Sequence, residues 1–255
     1  MTNIIGIIPA RMDSTRFPNK PMKHICGMPM IGHCLKRTSM ALGKENTYVA
    51  TCDKEIYDYV KSIGGNSIMT SQAHTRASTR TAEALKIIEK NNTKVDIIIM
   101  IQGDEPLVHP RTIDNIKNSF TSEDINIVNV MTPIKSDIAF KDYNNVKVVV
   151  NKSMNALYFS REPIPSAWNN QSQEFRYMQT GLIGFRRESL LNFNEMDETN
   201  LEIIESVDMN RVLEMGFSVK MIASKETNIG VDVPSELKDV EDLMINDDLF
   251  KEYKT

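Results

Sequence analysis

Cysteine is scarce in this chain, and the three present, Cys26, Cys34 and Cys52, show neither C-x-x-C pairing nor metal-type spacing. An odd number without such pairing argues against a zinc site or a disulfide framework and predicts buried or free thiols. Long apolar runs are missing too. No stretch approaches the roughly 18 residues of a membrane span, and Met1-Thr2-Asn3 leads straight into a short apolar segment. The expectation is a soluble, cytoplasmic protein with no membrane partner. Nor is there a block of like charge, since 30 Lys and Arg stand against 34 Asp and Glu for a formal charge of −4. That balance argues against a broad nucleic-acid footprint, so any anionic ligand must be met locally. Internal repeats are absent, and the sixteen methionines are scattered as adaptable core filler.

What is present is an alternation of strand and helix patterns. Ile4-Ile5-Gly6-Ile7-Ile8 is a continuous apolar run closed by Pro9, which suits a strand covered on both faces. Helices are expected over 28–42, 55–63 and 81–90 and after Pro110, with strands over 47–51, 67–70, 96–101 and 126–131. This order predicts a mostly parallel sheet with helices on both faces. From about Asn144 the rhythm changes. Strands at 146–150 and 182–185 flank a stretch, 163–173, that carries Pro, Asn and Gln. A helix over 201–215, a strand over 217–222 and a helix over 235–244 then restore the pattern. The expected organisation is one α/β domain over 1–255 with an inserted lobe at about 144–187.

In an open parallel sheet, ligands gather at the carboxyl ends of strands. After the first strand, Arg11, Arg16 and Lys20 place three cations in ten residues, beside the hydroxyls of Ser14 and Thr15. Cations and backbone N–H groups together can hold a polyphosphate. Neither G-x-G-x-x-G nor G-x-x-x-x-G-K-[ST] occurs, so this is not a dinucleotide fingerprint or a Walker loop. Gln102-Gly103-Asp104-Glu105-Pro106 follows the apolar strand ending at Ile101. Its Asp104 can bind a magnesium ion that already bridges phosphate oxygens, because Mg²⁺ favours oxygen and needs only one or two protein ligands. Asp232, in Gly230-Val231-Asp232-Val233-Pro234, is a second candidate acid. In each loop the plain alternative is a solvated charge or a turn residue.

These segments, with Gly27-Met28-Pro29-Met30-Ile31, Val49-Ala50-Thr51, Val146-Lys147-Val148-Val149 and Ala156-Leu157-Tyr158-Phe159-Ser160-Arg161, resemble the 3-deoxy-manno-octulosonate cytidylyltransferases, or CMP-Kdo synthetases. The resemblance runs over nearly the whole chain. It implies a Rossmann-like nucleotidyltransferase fold, transfer of CMP from CTP to an acidic sugar with release of pyrophosphate, a requirement for Mg²⁺, and a homodimer joined through the lobe. Carried over by position, Arg11, Arg16 and Lys20 contact the triphosphate, and Ala10, Ser14, Thr15, Ser78, Arg80 and Gln102 complete the nucleotide site. Asp104 and Asp232 hold magnesium. Arg16, Lys20 and Asp104 are the expected catalytic residues.

The chain departs from the family pattern in two places. The loop His74-Thr75-Arg76-Ala77-Ser78-Thr79-Arg80 has Ala77 and Thr79 where a Gly and an acid are expected. In the acceptor half, Met178-Gln179 replaces an Arg-His pair, and Val207-Asp208-Met209-Asn210-Arg211 replaces Leu-Glu-Gln-Leu-Arg. Arg161, Gln179, Asp208 and Arg211 are the expected acceptor contacts. The leading expectation is Kdo or a related 2-keto-3-deoxy sugar acid. The alternatives are a nucleotidyltransferase with a phosphate- or phosphonate-bearing acceptor, and a non-catalytic nucleotide-binding regulator.

Overall fold

The computed structural model describes residues 2–14, 16–90, 94–168, 173–226 and 230–254. The chain divides into two units, Met1–Asp114 with Glu226–Thr255, and Asn115–Lys225. The first opens with β1 (Ile4–Ala10), β2 (His24–Ile25), β3 (Met28–Pro29) and α1 (Met30–Leu42), followed by β4 (Thr47–Thr51), α2 (Lys54–Ser62) and β5 (Asn66–Met69). Next come α3 (Ala77–Glu89), β6 (Ile97–Ile101) and the start of α4 (Pro110–Asn118), whose residues from Asn115 onward belong to the second unit. Its sheet runs β6-β1-β4-β5 with every pairing parallel, Gly6 opposite Ile99, Ile8 opposite Val49 and Val49 opposite Ser67. Six of the seven β1 residues and all five of β6 are buried, which is why both read as unbroken apolar runs.

The first helix begins at Met30, not Met28, because Met28 and Pro29 pair back on Ile25 and His24. The turn between them places Cys26 at φ 48° and Gly27 at φ 86°. Two successive positive φ values are the geometry of a tight hairpin turn.

The second unit contains β7 (Ile127–Pro133), α5 (Asp137–Lys141), β8 (Lys147–Val150), β9 (Ala156–Ser160), β10 (Tyr177–Arg186), α6 (Arg187–Glu195), α7 (Asn200–Glu205), α8 (Asp208–Glu214) and β11 (Lys220–Ala223). Here the pairing is mixed: β10 runs antiparallel to β7 and β8, β8 antiparallel to β9, and β11 parallel to β7. The stretch 144–187 lies inside this unit, which is wider because β7 and β11 share its sheet. Part of the 163–173 stretch lies outside the described residues.

The single helix expected over 201–215 is two. Ser206 adopts a left-handed conformation, φ 52°, and Val207 is extended. At this break Glu205 accepts from the Tyr158 hydroxyl at 2.8 Å, the Ser160 hydroxyl at 2.8 Å and the Arg161 N–H at 2.7 Å. Asn210 joins both backbone groups of Phe159, so β9 is tied to the start of α8. Lys147 is fully buried, and its ammonium donates to the carbonyls of Asp142, Asn145 and Arg161.

The chain then completes the first unit with α9 (Pro234–Ile245) and α10 (Asp248–Tyr253). Leu107, Val231, Val240, Met244 and Phe250 form one apolar cluster there with Phe17, Ile25 and Met30.

Candidate active site

The loop after β1 is mostly polar, and its Phe17 is 6% exposed in that cluster. This anchor sits between Arg16 and Lys20 and fixes the loop from within. Asn19 takes a left-handed conformation, φ 58°, and its N–H donates to the Met12 carbonyl at 3.1 Å. Lys20 then opens a short 3-10 turn, Lys20–Met22.

Asp104 is positioned by the turn beyond β6. Gly103 lies so close to β1 that a Cβ there would stand 3.0 Å from the Pro9 carbonyl and 3.2 Å from the Ala10 Cβ. The Asp104 carbonyl accepts from Val231 N–H at 2.9 Å, which brings the segment before α9 alongside. Glu236, in the first turn of α9, accepts from the N–H groups of Asp232 at 2.5 Å and Val233 at 3.0 Å. Helix initiation thereby orients Asp232.

Four side chains expected at the site therefore meet within the first unit. Lys20 Nζ lies 2.7 Å from Asp104 Oδ2 and 3.3 Å from Asp232 Oδ1, and an Arg16 guanidinium nitrogen lies 3.0 Å from the same Asp232 oxygen. Burial opposes the charge on Lys20, but the two carboxylates outweigh it and hold its pKa above the ordinary lysine value. Arg16 remains about half exposed, 48%. Two cations and two carboxylates at one strand-end locus can meet both a polyanion and a divalent cation.

The remaining expected residues divide into two groups. Ala10 ends β1 and is buried, while Arg11, Ser14 and Gln102 are half-buried in the adjoining loops. Thr15 lies outside the described residues. Ser78 is buried in the first turn of α3. Arg80 is also buried, and donates to Thr70 Oγ1 at 2.6 Å and to the carbonyls of Ser71 and His74, each at 3.2 Å. It shapes the 70–74 loop from inside.

Arg161 and Arg211, expected at the acceptor, both have internal partners. Arg211 is buried, forms two 2.6 Å bonds to the fully buried Glu202, and donates to the carbonyls of Phe193 and Met196. The guanidinium of Arg161 donates to the carbonyls of Glu205, Tyr143 and Ser206. Arg161 thus serves carbonyls left open at the Ser206 break, whereas Arg211 pairs with Glu202 and serves carbonyls at the end of α6. Gln179 is half-buried on β10, and Asp208 is half-buried at the start of α8. The amide oxygen of Gln179 has no hydrogen-bond partner among the described residues. The three cysteines are free thiols. Phe17 was not anticipated; an aromatic enclosed by Arg16 and Pro18 in a polar loop was the available signal.

The cytidylyltransferase family model matches residues 5–226. A Geobacter metallireducens protein named 3-deoxy-manno-octulosonate cytidylyltransferase is 39% identical over 248 residues, 93% of this chain and 96% of the relative. The chain belongs to this family. Within the same family, the Parabacteroides distasonis 3-deoxy-manno-octulosonate cytidylyltransferase is 36% identical over 93% of this chain and 96% of its own length. A solved structure of CMP:2-keto-3-deoxy-manno-octonic acid synthetase complexed with CTP is 32% identical, with a TM-score of 0.86 over 96% of this chain and 99% of that one. A putative glucose-1-phosphate thymidylyltransferase from Bacillus anthracis, 14% identical with a TM-score of 0.65, shares the fold. Membership makes the chain a nucleotidyltransferase enzyme with the α/β fold expected from its motifs. No helix among the described residues is long and apolar enough to cross a membrane.

Proposed function

We propose that this enzyme transfers CMP from CTP to 3-deoxy-manno-octulosonate, releases pyrophosphate, requires Mg²⁺, and works as a cytoplasmic homodimer. The observation that carries the reading is the meeting of Arg16, Lys20, Asp104 and Asp232 at one locus. In the transfer, a sugar hydroxyl attacks the α-phosphorus, forms the new P–O bond and gives up its proton to solvent. The bond from the α-phosphorus to the bridging oxygen breaks, and its electron pair leaves with pyrophosphate. Arg16 and Lys20 stabilise charge on the departing group, and Arg11 and the loop N–H groups orient the triphosphate. No covalent enzyme intermediate is required.

The residues suit magnesium, since Asp104 and Asp232 both reach the ammonium of Lys20 and so present two hard oxygen donors to one cation. Bound there by these two carboxylates, the ion would neutralise phosphate charge. The phosphate- or phosphonate-bearing acceptor draws no support from Arg161 or Arg211, whose guanidinium groups are engaged internally.

The test is to incubate the protein with Mg²⁺, 3-deoxy-manno-octulosonate and, separately, CTP, UTP, ATP or GTP, measuring pyrophosphate and product mass. Release with CTP and a product carrying added CMP is expected; no release with this sugar rejects the proposal. Asp104→Asn should abolish turnover with an unchanged circular dichroism spectrum, and near-normal activity would remove Asp104 from its role.

A further inference from the structure

We propose that Asp53 is a positioning residue for the phosphate-binding loop: it holds the backbone at Met12 and so sets the direction in which the following cations leave β1. Its effect on CTP rests on the function proposed above, whereas its effect on the loop stands on local geometry.

Asp53 occupies the N-cap of α2. An aspartate there ordinarily accepts from one of the first free N–H groups of its own helix. This one makes no such bond. Its Oδ2 instead accepts the N–H of Met12, 41 residues earlier, at 2.8 Å, and also meets the Cys52 thiol at 3.5 Å. The sheet explains the reach. Ala10 and Thr51 are register partners at the ends of β1 and β4, and Met12 and Asp53 each lie two residues further along.

The carboxylate itself has a rigid mount. Asp53 N–H donates to the hydroxyl of the fully buried Thr51 at 3.1 Å, and its carbonyl accepts from Tyr57 N–H at 3.0 Å. Met12 is thereby gripped at both backbone groups, its N–H by Asp53 and its carbonyl by Asn19, the residue before Lys20. A negative charge near a polyphosphate site repels the ligand, so the benefit of Asp53 is geometric, and a neutral acceptor of the same shape should serve equally well.

Two variants separate this role from helix capping. Asp53→Ser keeps an N-capping hydroxyl but is too short to reach Met12; Asp53→Asn keeps an acceptor oxygen at the same reach. Steady-state kinetics with varied CTP, thermal melts and amide exchange over residues 11–20 without nucleotide should be measured on the full chain. For Asp53→Ser we expect a roughly tenfold rise in KM for CTP, an unchanged kcat, faster exchange in the loop and a melting temperature close to wild type. Asp53→Asn should restore both KM and exchange. Wild-type KM in Asp53→Ser, or a defect of equal size in Asp53→Asn, overturns the proposal. If the wild type itself does not use CTP, the nucleotide reading fails, and unchanged loop exchange in Asp53→Ser remains the result that would reject the role of Asp53.

Discussion

His33 gives this protein an acid sensitivity that can be sized from its surroundings. The imidazole on α1 is fully buried. Its Nε2 lies 2.8 Å from the Ile25 carbonyl, which can only accept, so Nε2 carries the proton. Nδ1 then accepts from the Tyr253 hydroxyl at 3.0 Å, and that hydroxyl in turn accepts from Arg37 Nε at 2.9 Å. Burial is the main cause that lowers the pKa to about 4 from 6.5; the Ile25 carbonyl opposes the shift, and the charge of Arg37 adds to it. In the unfolded chain His33 takes up its proton near pH 6.5, while the folded protein resists until about 4. Stability is therefore full above pH 6.5 and falls across that window, by roughly 3 kcal/mol in total.

The perturbation is His33→Gln, which keeps one donor and one acceptor but cannot titrate. Urea unfolding followed by circular dichroism at pH 6.5, 6.0, 5.5 and 5.0 gives the stability of each protein. Taking the difference between them cancels other groups, including His109, whose pKa is also lowered by burial. The wild type should lose about 1.6 kcal/mol relative to the variant between pH 6.5 and 5.0. Parallel curves would refute the account of a neutral, doubly bonded imidazole.

Two further predictions concern the second unit. Arg211→Met should lower stability by about 3–5 kcal/mol in urea unfolding, because Glu202 is left charged and buried; a loss under about 1 kcal/mol would contradict the assigned pair. Gly184→Ala places a methyl 2.5 Å from Ile116 Cγ2 and 2.9 Å from Phe120 Cε2. It should cost about 1–3 kcal/mol, read as a lower melting temperature, and a neutral result would mean that these side chains can move aside.

The parallel frame was legible because its signal is local: Ile4–Ile8 and Ile97–Ile101 are covered on both faces, and their apolar runs say so directly. The loops that follow were legible as charge placed at strand ends. Long-range pairing was not. Arg211 and Lys147 look like ordinary surface charges until Glu202 with the carbonyls of Phe193 and Met196 surrounds the one, and the carbonyls of Asp142, Asn145 and Arg161 the other. Asp53 likewise reads as a helix cap, and only the register of β4 against β1 directs it to Met12.

The apolar cluster behind Lys20 draws Phe17, Ile25 and Met30 from one end of the sequence and Val231, Val240, Met244 and Phe250 from the other. During translation the first group leaves the ribosome some two hundred residues ahead of its partners. A nascent chain halted after β11 would carry Lys20 and Asp104 but lack Asp232 and, with it, Val231, Val240, Met244 and Phe250 of the cluster around Phe17. The contacts of Arg16 and Lys20 with Asp232 can form only once that late segment has been made, so interrupted products should lack them.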